Sequence, residues 1–171
     1  MMMRSGLAAA LFVCMGTGAA GDEAPAKPAS KGGMAVARHA TGTFEVKVTP
    51  LPKDEKVPGL AVGRYAFEKQ LKGGLEGTSK GEMMAPDSPV EGSGGYVAVE
   101  HFAGSLDGRS GSFMLVHQGI MKKGAPGFDL VIKVVPDSGT GQLARLAGTM
   151  KIVIEGGKHS YELDYTLPAA P

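Results

Sequence analysis

The amino-acid sequence predicts an all-β fold: a single eight-stranded antiparallel up-and-down β-barrel, set behind a signal peptide and a flexible tether. Three observations predict it. From Thr41 onward apolar and polar residues alternate with a period of two, the signal of half-buried strands. Short turn sequences separate most of these runs, so consecutive strands are expected to pair antiparallel. Glycine is abundant, 27 of 171 residues, with 11 prolines and no tryptophan, a composition of many turns and no long helices. Eight such strands either leave two raw edges or close on themselves. Closure removes the edges, and a barrel of that size holds its own side chains plus one small ligand. A sandwich is the competing architecture, but it would need longer crossovers than most of these connections.

The N-terminus reads as an address. Met1–Arg4 form a short positive start, Leu7–Met15 (LAAALFVCM) an apolar run, and Gly16–Gly21 (GTGAAG) a stretch of small residues that suits a signal peptidase. The run is far shorter than the ~20 residues of a spanning helix. Residues 1–21 are therefore expected to be a cleavable signal peptide, cut near Ala20 or Gly21, with the mature protein periplasmic or secreted. Two other readings compete. Cys14 follows the apolar run as a lipidated cysteine would, but Val13 stands where a lipobox wants a small residue. Translation from Met34 would instead give a cytosolic protein. Residues 22–39 are read as a flexible linker, on the Ala, Pro, Lys and Gly of Asp22–Gly33 (DEAPAKPASKGG). Residues 40–168 are the barrel domain, and 169–171 a frayed tail.

The strands follow in order. The first is Thr41–Thr49, with Phe44, Val46 and Val48 on one face and Thr43, Glu45 and Lys47 on the other; Pro50 and Pro52 stop its ladder. The second is about Leu60–Leu71, with Tyr65, Phe67, Lys69 and Leu71 together, and the third about Leu75–Met84. The fourth, Gly95–Leu106, aligns Tyr96, Ala98, Glu100 and Phe102; the fifth, Gly111–Met121, aligns Phe113, Leu115, His117 and Met121. Phe128–Val135, Thr149–Glu155 and His159–Leu167 complete the set. Between them stand turn sequences: Lys72-Gly73-Gly74, Asp107-Gly108, Lys123–Gly127 and Gly156-Gly157, the last suited to a two-residue hairpin. The longest late connection, Pro136–Gly148, has room for one helical turn at Gln142–Leu146.

Composition narrows the function classes. Lys+Arg number 18 and Asp+Glu 17, without a basic patch, which argues against nucleic acid as a partner and against a polybasic membrane anchor. The chain's single cysteine, Cys14, falls in the signal peptide, so the mature domain has no disulfide, no thiolate nucleophile and no cysteine-ligated metal. No two histidines have metal-ligand spacing, and nothing in the sequence calls for a cofactor. Gly139-Thr140-Gly141 lacks the Lys-Ser/Thr of a phosphate loop and reads as a turn.

Six segments stand in one order along the chain: Ala40–Val46 (ATGTFEV), Leu75–Ser79 (LEGTS), Gly95–Glu100 (GYVAVE), Gly104–Phe113 (GSLDGRSGSF), Val134–Gly141 (VVPDSGTG) and Leu143–Gly148 (LARLAG). Together they resemble the bacterial "domain of unknown function 3224" family, over about Thr41–Leu167. The resemblance implies a small eight-stranded antiparallel barrel similar in fold to allene oxide cyclase, in agreement with the strand count. It implies no catalytic residue, and a shared fold does not confer cyclase activity.

Chemistry is expected inside the barrel. A loop of two or four residues at Asp107–Ser110 points Glu100 and His117 to one face, and pairing Leu106 with Gly111 would set them directly opposite. That face also carries Tyr96, Phe102, Phe113 and Leu115, so it should be the interior. A buried carboxylate needs partners, for which His117 and the inward Lys69 are candidates; Tyr161 and Tyr165 also point inward. His39, ahead of the first strand, is expected in solvent, His101 on the outer wall, and His159 at the barrel mouth. Glu45, Lys47, Lys151 and Glu162 read as a solvated outer wall.

Three functions fit. The first is a ligand-binding barrel holding a small apolar molecule against Glu100, His117, Tyr96, Tyr161, Tyr165 and Lys69. The second is an isomerase or cyclase using Glu100 and His117 as base and acid. The third is a structural or interaction module with a filled core, forming a homo-oligomer through its outer wall. An open cavity beside Glu100 would favour the first two.

Overall fold

The computed structural model describes residues 36–52, 62–86, 88–125 and 127–168. The expected signal peptide, linker residues 22–35 and tail 169–171 lie outside the described residues. The chain forms a closed barrel of eight antiparallel strands in sequence order. They are β1 (Val36–Pro50), β2 (Val62–Gly73), β3 (Leu75–Pro86), β4 (Gly94–Leu106), β5 (Arg109–Met121), β6 (Asp129–Val134), β7 (Ala147–Glu155) and β8 (Lys158–Leu167). The β1–β8 ladder, from Val36↔Leu167 to Phe44↔His159, closes the barrel.

Turn chemistry sets the register. Asp107-Gly108 and Gly156-Gly157 are two-residue loops with positive φ at both positions (47° and 77°; 56° and 78°), the mirror-image turn whose twist matches the strands it joins. Leu106 therefore pairs with Arg109, not with Gly111. Glu100 faces Leu115, His117 faces Ala98, and the two polar residues are diagonal neighbours instead of directly opposite.

Three expectations are corrected. β1 begins at Val36, so residues 36–39 belong to the sheet and not to the linker. Alternation could not show this, because Val36–His39 are all exposed; the pairing with β8 is what holds them. His39 is accordingly a strand residue, 2.7 Å from Asp164 on the outer wall. The helical turn in the long connection is a 3-10 turn at Gly141–Leu143, not at Gln142–Leu146. Thr140 ties it to β5, its Oγ1 accepting from Ser112 N–H at 3.0 Å. That tie lays Leu143 and Leu146 over one end of the barrel, where both are buried.

That end is filled. Leu71, Leu75, Leu106, Leu163 and Leu167 pack with the Phe102 and Phe113 rings, whose centroids are 5.0 Å apart. The other end is open, and Val48, Phe128 and Ile154 there are exposed. Residues outside the barrel follow the alternation: Glu45, Lys47, His101, Lys151 and Glu162 are exposed.

Candidate functional site

The polar cluster sits at the boundary between the filled and open halves. Lys69 comes from β2, Ser79 from β3, Glu100 from β4 and His117 from β5, and all four are buried. β3 lies between the strands of Lys69 and Glu100, and its inward positions there are small. Ser79 pairs with Lys69 and Gly81 with Glu100. A Cβ on Gly81 would run into the Phe67 ring and the Val99 carbonyl. The two long side chains therefore reach each other over β3.

Glu100 collects three partners. Its Oε2 accepts from Lys69 Nζ at 2.7 Å, and its Oε1 accepts from the Ser79 hydroxyl. His117 Nε2 lies 2.9 Å from Oε2, yet the ring is not aligned to donate, and this nitrogen is buried without a hydrogen bond among the described residues. Burial by itself raises the Glu100 carboxyl; the His117 ring, the Lys69 ammonium and the Ser79 hydroxyl outweigh it and pull the group from 4.5 down to about 2. Lys69 and Ser79 act in that direction through formed hydrogen bonds. Glu100 is thus a carboxylate at neutral pH. The Lys69 ammonium also stands 5.0 and 5.1 Å from the Phe44 and Phe67 ring centroids, each offering a π face to the cation.

Beyond the cluster the barrel is hollow. A cavity of about 460 Å³ opens toward the β5–β6 end, within the range of small-molecule sites. Its walls are mostly apolar, including Phe44, Phe67, Met83, Ala98, Phe128 and Ile152. Polar atoms enter from Lys69, His117, Tyr96 and, near the mouth, His159. Glu100 does not line it; the carboxylate lies behind Lys69 and His117 and is hydrogen-bonded to Lys69. The Tyr96 ring stacks on Phe128 with centroids 5.8 Å apart. Gly119 leaves room for that pair, since a Cβ there would fall 2.6 Å from both rings. Burial, then the Glu100 charge, push the Tyr96 phenol above 10, so it keeps its proton.

Of the residues singled out in the sequence, the fold brings Lys69, Glu100 and His117 together and sets Tyr96 on the cavity wall. His159 lies at the mouth, as its position at the start of the last strand predicts, its ring tilted against Phe44 with centroids 5.1 Å apart. Tyr161 and Tyr165 point inward but belong to the filled end. Tyr161 Oη accepts from Leu75 N–H at 2.7 Å, and Tyr165 donates to Asp107 Oδ2 at 2.6 Å. Both hold turns and neither lines the cavity. Ser79 escaped sequence reasoning, although its parity with Leu75 already places it inside.

The fold has known counterparts. The profile of the family described as "protein of unknown function (DUF3224)" matches residues 40–165. A solved structure from Shewanella oneidensis MR-1, described as a protein with unknown function from the DUF3224 family, is 45% identical, with a TM-score of 0.70. That similarity covers 79% of this chain and 100% of the other. No curated protein matches. A profile match through nearly the whole barrel, with a relative of that identity, establishes that the chain belongs to the DUF3224 family.

Proposed function

We propose that this barrel binds a small, mostly apolar molecule in its open half, in an exported form of the protein released from the signal peptide. The observation that carries the reading is the division of the interior. One half is packed with leucine and phenylalanine, whereas the other keeps an apolar cavity of about 460 Å³ that ends on buried Lys69 and His117. A buried ion pair is weak support for stability, since apolar residues of similar volume often do as well or better. Its place at the cavity floor favours a role toward a ligand.

The test is native mass spectrometry of the protein purified from its own periplasm, under conditions that keep ligands bound. A stoichiometric small molecule, lost in Ala98→Phe, which fills the cavity, supports the reading. A bare mass together with failure to take up any apolar probe would overturn it. The same spectrum reads the N-terminus: a mass beginning after Ala20 or Gly21 supports export, and one beginning at Met1 or Met34 refutes it.

A second reading has its own observation. His117 lines the cavity with the Glu100 carboxylate 2.9 Å from its Nε2, a spacing that a turn of the ring would convert into the hydrogen bond of an acid–base pair. In that reading the barrel isomerises its ligand, and Glu100 acts through His117. Glu100→Gln should then abolish turnover and leave binding largely intact.

A further inference from the structure

From the donors that face the cavity we infer the chemical class of the ligand: an apolar chain or ring system ending in a carbonyl or carboxylate oxygen, seated head-inward on Lys69, with Tyr96 on the wall as a second donor. This inference rests on the ligand-binding reading above and deepens it.

The argument starts from what faces the cavity. Its polar lining is Lys69, His117, Tyr96 and His159, with no aspartate or glutamate among the described lining residues. An ammonium only donates hydrogen bonds, and it has three to give. One goes to Glu100, and the remainder stand over the faces of Phe44 and Phe67. Phenyl faces are weak acceptors, so an oxygen arriving at Lys69 gains a hydrogen bond without displacing a strong one. Tyr96 adds a hydroxyl that stays protonated.

The one nearby carboxylate is withheld. Both Glu100 oxygens are occupied by Ser79 and Lys69, and the group lies behind the wall. A cationic head group would therefore meet an ammonium and no free anion, which disfavours it beside the buried Lys69. A head without oxygen would leave the donors unpaired. An acceptor oxygen answers both conditions. The rest of the cavity, from Met83 to Phe128 and Ile154, offers hydrocarbon and aromatic surface to the tail.

Four matched probes test this on the mature protein: decanoate, 2-decanone, decylamine and decane, compared by displacement of a fluorescent apolar dye. Decanoate and 2-decanone should bind at least tenfold more tightly than decane, and decylamine no better than decane. Which of the two oxygen heads binds more tightly tells whether the natural head is charged or neutral. Lys69→Met alone risks the fold, because it leaves Glu100 buried without its cation. The double variant Lys69→Met/Glu100→Gln removes both charges, and Tyr96→Phe removes only the hydroxyl. The double variant should keep decane binding and lose the preference for oxygen heads; Tyr96→Phe should weaken it. Equal binding of all four probes, or tighter binding of decylamine, overturns the inference while the ligand-binding reading stands. Failure of all four to bind overturns both.

Discussion

Lys69 Nζ stands 2.7 Å from Glu100 Oε2, although a whole strand separates their backbones. The intervening strand offers only Ser79 and Gly81 to the interior at that height, and Ser79 turns its hydroxyl to the same carboxylate. The pair is therefore built by three strands at once, two reaching and one making way.

Such a pair should be strongly coupled. Glu100→Gln leaves a buried ammonium without its counter-ion, and Lys69→Met leaves a buried carboxylate; each is expected to cost about 3–5 kcal/mol. Lys69→Met/Glu100→Gln removes both charges and should cost less than either single change. Urea unfolding of the four proteins, read as a double-mutant cycle, measures this. A double variant that loses the sum of the two single costs would show no coupling.

The same carboxylate makes acid stability predictable in sign. Its folded value, about 2, lies below its ordinary value of 4.5. The stabilisation is thus complete above about pH 4.5 and is lost as pH falls from there toward 2. At about 1.4 kcal/mol per tenfold change in proton affinity, the loss is on the order of 3 kcal/mol for this fully buried group. Denaturation profiles at pH 7, 4.5, 3 and 2 should fall more steeply for the native protein than for Glu100→Gln. Parallel profiles would remove Glu100 from the account.

What alternation reports, and what it does not, explains how far the site was legible. A period of two tells which face a side chain takes, so Lys69, Glu100 and His117 were rightly placed inside from sequence. It says nothing about height along the barrel axis. Tyr161 and Tyr165 share that face with the cluster yet sit at the opposite, filled end, bonded to Leu75 and Asp107. Register depends on the loop, and the two-residue turn at Asp107-Gly108 made Glu100 and His117 diagonal neighbours. Diagonal neighbours are still within reach of long and aromatic side chains, and the two meet at 2.9 Å. The early start of β1 was hidden because Val36–His39 carry no buried residue; only the partner strand holds them.

Tyr161 should accordingly behave as a structural residue. Tyr161→Phe takes the acceptor from the Leu75 N–H at a buried position and is expected to cost about 1–3 kcal/mol. The cavity lies at the other end, so probe affinity should be unchanged. Thermal unfolding and dye binding on the one variant decide this; a large drop in affinity with intact stability would return Tyr161 to the binding site.

Ala98 offers the sharpest separation between a barrel that is hollow for use and one that is merely underpacked. It is buried on β4, between Met83 and His117 in register, and its methyl faces the cavity. Ala98→Leu adds three carbons to space the protein leaves empty. Burying them is favourable by about 0.8 kcal/mol each, less whatever the repacking of neighbours costs. A native sequence selected only for stability would have filled that space, so the variant should keep or raise the unfolding midpoint, by up to about 2 kcal/mol of stability. A ligand site predicts in addition that the dye and any native ligand are lost. Stability gained with binding lost would mean that the cavity is kept open against the interest of the fold. Stability lost by more than about 2 kcal/mol would mean that the wall around Ala98 is already close-packed, and the division of the interior on which the functional reading rests would fail.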